Sequence, residues 1–179
     1  MSFSDIVKTL PKLEAVQGRL QRVTKPCDDY QVFIDYAHTP DALKHSLNEL
    51  KNLKPKNSRL HIVFGCGGNR DSSKRPIMGQ VAATIADKVI ITDDNPRFED
   101  PEAIRQAIKV GAERAKIIKD RKEAIIETVN DLKSGDLLLI AGKGHENYQI
   151  IGDKVKHFSD FEVASEALKN RKNNNITND

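Results

Sequence analysis

At 179 residues the chain can bury the core of one α/β domain, so a single domain is the starting expectation. With 38% hydrophobic and 31% charged residues it reads as globular, with no window apolar enough to span a bilayer and no secretory leader pattern. A net charge of +3, from lysines scattered among acids, offers no basic field for nucleic acid.

Residues 1–30 hold only a weak amphipathic stretch around 6–16, then Gln17-Gly18-Arg19 and the loop Lys25-Pro26-Cys27-Asp28-Asp29. The first clear strand is 31–35. Thr39-Pro40-Asp41 reads as a helix start: a hydroxyl cap, proline at the first position and an acid in the first turn. Leu43, Leu47, Leu50 and Leu53 mark one face of that helix, which ends before Pro55. Strand 60–64 leads through glycines to a helix with Ile77, Val81 and Ile85 as its apolar face. Strand 89–92 leads to a helix around Ile104 and Ile108, started by Asp100-Pro101-Glu102. Strand 116–118 leads to a helix carrying Ile125, Ile126, Val129 and Leu132. Ser134-Gly135-Asp136 then turns into strand 137–141. Segments 148–151 and 154–158, joined at Gly152-Asp153, read as a hairpin. A helix over 159–169 precedes a polar tail, 171–179, expected to fray. The alternation predicts an α/β fold: a mostly parallel sheet with helices on both faces and a C-terminal hairpin or antiparallel edge strand.

Four polar clusters follow the apolar runs. They are Asp35-Tyr36-Ala37-His38-Thr39-Pro40-Asp41, Gly65-Cys66-Gly67-Gly68-Asn69-Arg70-Asp71, Asp93-Asp94-Asn95-Pro96-Arg97 and Gly142-Lys143-Gly144-His145-Glu146. Ligands of open α/β sheets bind beyond the C-terminal strand ends, so the four clusters are expected to form one site.

Gly65-Cys66-Gly67-Gly68 resembles a dinucleotide loop, but the third glycine of G-x-G-x-x-G would fall at Arg70. Such a turn lets backbone approach either a ligand or a neighbouring loop, and Arg70, Lys74 and Arg75 beside it favour the ligand. Lys74 and Arg75 at a helix start oppose its dipole, a cost that an anion could offset. Asp94-Asn95-Pro96-Arg97 puts opposite charges and a carboxamide on a proline-stiffened loop. It could hold a zwitterion, guanidinium to carboxylate and acid to ammonium, or equally be a turn closed by an Asp94–Arg97 ion pair. Lys143 between glycines mimics half a phosphate loop, yet no Ser or Thr follows and no G-x-x-x-x-G-K-[ST] occurs. His145-Glu146 fits acid–base work, metal binding or recognition, although a lone histidine such as His38 or His145 is more often structural. Cys27 and Cys66 lack zinc-ligand spacing and read as reduced cysteines of a cytoplasmic protein, with Cys66 a packing residue.

Taken together, the clusters resemble the C-terminal domain of the Mur ligases, the ATP-dependent amide ligases of peptidoglycan assembly. Five motifs fall in family order between about Val16 and Leu168: the four clusters and Lys74-Arg75-Pro76, with Gly18-Arg19-Leu20 resembling the exit from that family's central domain. The resemblance implies a Rossmann-like fold and a piece of a longer enzyme, with 1–25 a lead-in from a central ATPase domain, 26–170 the amino-acid-binding domain and 171–179 a tail. Where the family carries Asp-Asn-Pro-Arg, the incoming amino acid is meso-diaminopimelate. Asp94, Asn95, Pro96 and Arg97 would then form its specificity loop, with Arg97 clamping the distal carboxylate that lysine lacks. Arg70 would be a second contact, Gly142 would act through backbone, and Glu146 would meet the distal ammonium.

The same resemblance implies that His38 and Asp41 face ATP, while ATP and Mg2+ are held mainly by the central domain and no metal by this chain. His145 is the one candidate base. The implied reaction forms an acyl phosphate on the γ-carboxylate of the UDP-N-acetylmuramoyl dipeptide, which the diaminopimelate amine attacks. This domain would orient the amine and close over the nucleotide, and the chain alone would be inactive. Two other readings keep the residues but not this chemistry: a free-standing nucleotide-binding module of a dehydrogenase, and a non-catalytic interaction domain.

Overall fold

The computed structural model describes residues 16–176, with side chains through Asn173. The expected amphipathic stretch 6–16 lies outside them apart from Val16, as do the last three residues of the tail.

The chain runs β1 (Gln21–Arg22), β2 (Gln31–Asp35), α1 (Pro40–Leu53), β3 (Leu60–Phe64), α2 (Lys74–Ile85), β4 (Lys88–Ile91) and α3 (Pro101–Lys109). It continues with β5 (Lys116–Ile117), α4 (Arg121–Asp131), β6 (Leu137–Ala141), the hairpin β7 (Tyr148–Ile151) and β8 (Lys154–His157), and α5 (Asp160–Ile176). One six-stranded sheet has the order β1-β2-β6-β3-β4-β5, parallel except where β1 meets β2. β3 and β6 are buried along their whole length, which is why both read as apolar runs, broken only by His61 in β3, rather than alternating ones.

Capping set the helix starts. The Thr39 hydroxyl accepts from Ala42 N, Asp100 from Glu102 N and Asp120 from Glu123 N, and proline opens α1 and α3. Helices α1, α2 and α3 cover one face of the sheet, burying Leu43, Leu47, Leu50, Met78, Ala82, Ile104 and Ile108. α4 and α5 cover the other, with Ala124, Ile125, Val129, Ala164 and Leu168.

Several expectations shift in detail. Leu53 is exposed, so the leucine face of α1 ends one turn early. The buried face of α2 is Arg75, Met78, Gly79 and Ala82, while Ile77 faces out. That helix packs through a small residue: a Cβ on Gly79 would run into the Ile108 carbonyl of α3. The hairpin forms its own two-stranded sheet, and the antiparallel edge strand is β1 at the other end of the chain. α5 continues to Ile176, past 169. Arg171 anchors it by donating to the carbonyls of Val129 and Leu132 and lying 4.5 Å over the Tyr30 ring.

β2, β6, β3 and β4 run parallel, so their C-terminal ends share one edge of the sheet. β2 and β3 exit toward α1 and α2 on one face, whereas β6, lying between them, exits through the hairpin toward α5 on the other. Such a reversal opens a crevice at the strand ends, and here it falls beside β6.

Candidate functional site

The four clusters converge on that edge. Gly142 N donates to Asp35 O (3.1 Å) and Gly68 N to Asn95 O (2.9 Å). Gln149 Nε2 donates to Asp94 O (2.8 Å), which draws the start of the hairpin onto the same loop.

Lys143 sits at the centre with no solvent exposure. Its Nζ donates to Asn95 Oδ1 (3.0 Å) and Tyr148 O (2.6 Å), and lies 3.9 Å from Asp94 and 3.7 Å from Glu146 carboxylate oxygens. Burial pushes the ammonium below its ordinary pKa, and the charge on Asp94 is the largest influence opposing that. The Asn95 carboxamide is engaged at both ends: its oxygen also accepts from Ile150 N (3.0 Å), and its nitrogen donates to Glu146 Oε2 (3.1 Å). Asp94 and Arg97 are therefore not each other's partners. Asp94 faces Lys143, while Arg97 Nη1 donates to the carbonyls of Gly68 (2.9 Å) and Asn95 (3.4 Å).

Arg97 adopts φ +53, a left-handed conformation that costs a non-glycine residue roughly 1–2 kcal/mol. The hairpin holds it there: Arg97 N donates to Ile150 O (3.1 Å) and Gly152 N to Arg97 O (2.7 Å). Pro96 is buried behind it. A Cβ on Gly67 would lie 2.9 Å from Arg97 Nη1 and 3.9 Å from Arg70 Cγ, so both arginines flank that glycine. Arg70 is exposed and, among the described residues, has no ion-pair partner. Gly65 and Gly68 answer a different need from the one expected. Added side chains there would strike the backbone of Thr92 and Pro96, so these two glycines admit the neighbouring loop. On the other side, a Cβ on Gly142 (φ +114) would lie 2.7 Å from Asp94 Oδ2. The edge thus carries Arg97 and Arg70 on either side of Gly67 at one place and the Asp94 and Glu146 carboxylates beside Lys143 at another.

A separate group of rings lies across β2 and β6. Tyr36 stacks at 4.5 Å from His38 and 5.3 Å from His145, with the Arg19 guanidinium 5.5 Å from its ring centre. His38, Asp41 and His145 are exposed. Gly18 (φ +70) packs directly on the backbone of Gly144 and His145, and its carbonyl accepts from Tyr36 N (2.8 Å). Lys74 donates to His38 O (2.7 Å). The site residues thus fall into two groups, with Arg70, Asp94, Asn95, Pro96, Arg97, Gly142 and Glu146 in one and His38, Asp41 and His145 in the other.

The partners of three supporting arginines carry no mark in the sequence. Arg75 is buried, donating to Gly67 O (3.3 Å) and Glu99 Oε2 (2.7 Å), so Glu99 is the anion that offsets its charge at the start of α2. Arg105 pairs with Asp93, whose carboxyl burial holds above its ordinary pKa. Arg121, wholly buried, donates to Asp160 and to the Ala141 carbonyl. Each reads in sequence as a solvated cation at or near a helix start. Cys66 is buried 3.7 Å from the Met78 sulfur, and burial pushes its thiol up to about 12, as befits a packing residue. A groove of about 990 Å3 opens at the opposite edge of the sheet, where Lys88–Asp131 and Lys116–Glu127 pairs line it.

Residues 18–144 match the model of the family described as Mur ligase, glutamate ligase domain. UDP-N-acetylmuramoyl-L-alanyl-D-glutamate–2,6-diaminopimelate ligase of Rickettsia bellii is 59% identical over 91% of this chain, and that of Bradyrhizobium diazoefficiens 51% over 94%. The chain spans 34% of the length of each. A solved structure of a ligase of that same name superposes with a TM-score of 0.82 at 41% identity, covering 96% of this chain and 35% of the other. UDP-N-acetylmuramate-alanine ligase from Thermotoga maritima shares the fold at TM-score 0.61 and 17% identity, covering 98% of this chain and 34% of its own. Among the described residues no helix is long and apolar enough to cross a membrane. With that model matching residues 18–144, the stretch that carries all four strand-end clusters but the last two residues of the fourth, the chain belongs to the Mur ligase family, in which it carries the glutamate ligase domain.

Proposed function

We propose that this chain is the C-terminal, amino-acid-binding domain of a cytoplasmic ATP-dependent ligase that joins meso-diaminopimelate to UDP-N-acetylmuramoyl-L-alanyl-D-glutamate. The observation that carries this reading is the charge layout of the site: Arg70 and Arg97 together beside Gly67, and Asp94 and Glu146 together beside Lys143. One end of a zwitterionic amino acid meets guanidinium and its other charge meets carboxylate. A free carboxylate is what distinguishes diaminopimelate from lysine, and a forked guanidinium is the side chain best matched to it. The names of the diaminopimelate ligases to which the chain is similar support the same substrate.

In this reading Arg97 clamps the distal carboxylate and Arg70 assists. Asp94 and Glu146 receive the distal ammonium, the Gly142 backbone lies against the substrate, and Asn95 and Pro96 hold the loop in shape. The second group fits the base and sugar of ATP better than its phosphates, since it offers ring faces and one guanidinium but no phosphate loop. His38 and Asp41 would face the nucleotide, and Mg2+ would be held mainly by other parts of the ligase. ATP supplies the activation that makes the dipeptide carboxylate acylating. The part of this domain is to bring the amine to it in a reactive orientation, with His145 the candidate to accept its proton.

The test is an NMR titration of the chain with meso-diaminopimelate and, in parallel, L-lysine. Shifts at Arg70, 94–97 and 142–146 with diaminopimelate alone are the expected result. Equal shifts with lysine would overturn the carboxylate clamp. Absence of shifts moves the experiment to the full ligase, where preference for lysine in product formation would refute the substrate.

A further inference from the structure

Lys143 is an unusual residue for the centre of a substrate site. It is fully buried, it follows the wholly buried strand β6, and each of its nearest polar neighbours belongs to a loop that forms the site. Asn95 Oδ1 and the Asp94 carboxylate lie on the loop after β4, Glu146 and Tyr148 O on the segment after β6. The Tyr148 ring stands 5.7 Å from its ammonium. Asn95 and Gln149 also tie the two loops together, but without this cation the Asp94 and Glu146 carboxylates would face each other with no charge between them.

The charges also sum to a definite result. Asp94 and Glu146 contribute two negative charges within 4 Å of one ammonium. The next charges, Arg121 and Asp160, neutralise each other through a bidentate pair. One negative charge is left over on the Asp94 and Glu146 pair, whose side chains are 10% and 18% exposed, and Asp94 Oδ2 fills the space that a Cβ on Gly142 would take.

We propose that Lys143 is the positioning residue of this site: it locks the 93–97 loop to the 142–148 segment and sets the pocket to accept a single additional ammonium group. The inference rests on the diaminopimelate reading above, for it assigns the leftover charge to the distal amino group. It differs in assigning a role to a residue that touches no substrate. Lys143 acts through Asn95, Asp94 and Glu146. Its own charged form is disfavoured by burial and sustained by Asp94, with Arg121 opposing and Asp160 and Glu146 assisting.

The experiment uses the full ligase, with Lys143→Met to remove charge and donor and Lys143→Gln to remove charge but keep a donor of similar reach. Steady-state KM for diaminopimelate, KM for ATP and kcat are measured from pH 6 to 9, alongside thermal unfolding. The expected result is a rise in KM for diaminopimelate of tenfold or more in both variants. KM for ATP should stay within a factor of two, and the glutamine variant should retain more of kcat than the methionine variant. The acid limb of kcat/KM for diaminopimelate should also move to higher pH, because two carboxylates without their cation hold protons more tightly. A purely architectural lysine would lower the unfolding temperature and leave both KM values and the pH profile alone, and that outcome overturns the proposal. Parallel rises in KM for diaminopimelate and ATP overturn it as well. Should the methionine variant not fold, the glutamine variant carries the same comparison. A wild-type ligase that does not use diaminopimelate refutes the substrate reading itself, whereas normal wild-type use with unaltered variants refutes only the role of Lys143.

Discussion

Arg121 Nε and Nη2 donate to the two carboxylate oxygens of Asp160 at 2.8 and 2.7 Å, and neither side chain is exposed to solvent. The same guanidinium donates to the Ala141 carbonyl (2.9 Å) at the end of β6, one residue before the Gly142 backbone enters the site. The first residue of α4 thus fixes the first residue of α5 and the last of β6. Removing one partner leaves a buried charge without compensation, which costs about 3–5 kcal/mol. Asp160→Asn and Arg121→Met are each expected to lose that much in urea unfolding. The double variant Arg121→Met/Asp160→Leu should recover much of it, since no orphaned charge remains. Single variants within about 1 kcal/mol of wild type would show that water reaches the pair.

Arg97 offers the sharpest test of substrate choice. Its backbone is held left-handed by the hairpin, and among the described residues its guanidinium donates only to the carbonyls of Gly68 and Asn95, so it keeps donors for a carboxylate. In the full ligase Arg97→Ala should cost about 2–5 kcal/mol in kcat/KM for diaminopimelate, the range for breaking a buried charge pair. The small end of that range is already about thirtyfold. Any residual use of L-lysine should hardly change. Unaltered diaminopimelate efficiency would remove the clamp.

How much of this was readable in the sequence depends on whether the signal was local. Strands β3 and β6 announced themselves because a strand buried on both faces is apolar at nearly every position, with His61 of β3 the one exception here. Thr39, Asp100 and Asp120 lie at helix starts because a side-chain oxygen there satisfies a free N–H, a one-turn interaction. The insertion of β6 between β2 and β3 was not readable, since parallel pairing leaves no mark on neighbouring residues. Nor was the face of α2, whose contact with α3 runs through Gly79 and Gly111 rather than through the branched side chains that stand out in a helical pattern. The site divided the same way. The clusters that hold Arg70, Asp94, Arg97 and Glu146 stand out by their placement after strands, but Asn95, which binds Lys143, and Asp160, which binds Arg121, lie 48 and 39 positions from them. No spacing rule connects them.

His61 makes stability depend on pH at the far end of β3. Its Nε2 lies 3.0 Å from Asp136 Oδ2 and must carry the proton, while Nδ1 is buried without a partner among the described residues. Burial pushes the imidazole below its ordinary pKa despite Asp136. Between the folded value and the unfolded value near 6.5, the unfolded chain binds a proton that the native state does not. Stability therefore falls as pH drops below about 6.5, by at most about 1.4 kcal/mol per pH unit. Asp136 is held below its ordinary value: burial alone would raise it, but donation from Lys133 N, Arg59 N and His61 outweighs that, so its own contribution is lost only at lower pH. Urea unfolding between pH 7.5 and 5 should show the loss, and His61→Gln, which keeps a donor for Asp136, should flatten it. An equal slope in the variant would assign the effect to other groups.

Gly79 sets two magnitudes against each other. In a helix interior, glycine to alanine gains up to about 1 kcal/mol from backbone entropy. At this position the new methyl would meet the Ile108 carbonyl, with Gly111 close behind, and those are backbone atoms of α3 and of the turn after it that cannot rotate aside. Overpacking against backbone costs about 1–3 kcal/mol, so the clash should win. Gly79→Ala is expected to lower the unfolding temperature by several degrees, where an ordinary helix site would be stabilised. Since α2 begins at Lys74, just beyond the loop that carries Arg70, the same variant should weaken diaminopimelate binding less than it weakens the fold. A stabilised Gly79→Ala chain would mean that α2 and α3 lie further apart than their glycines require.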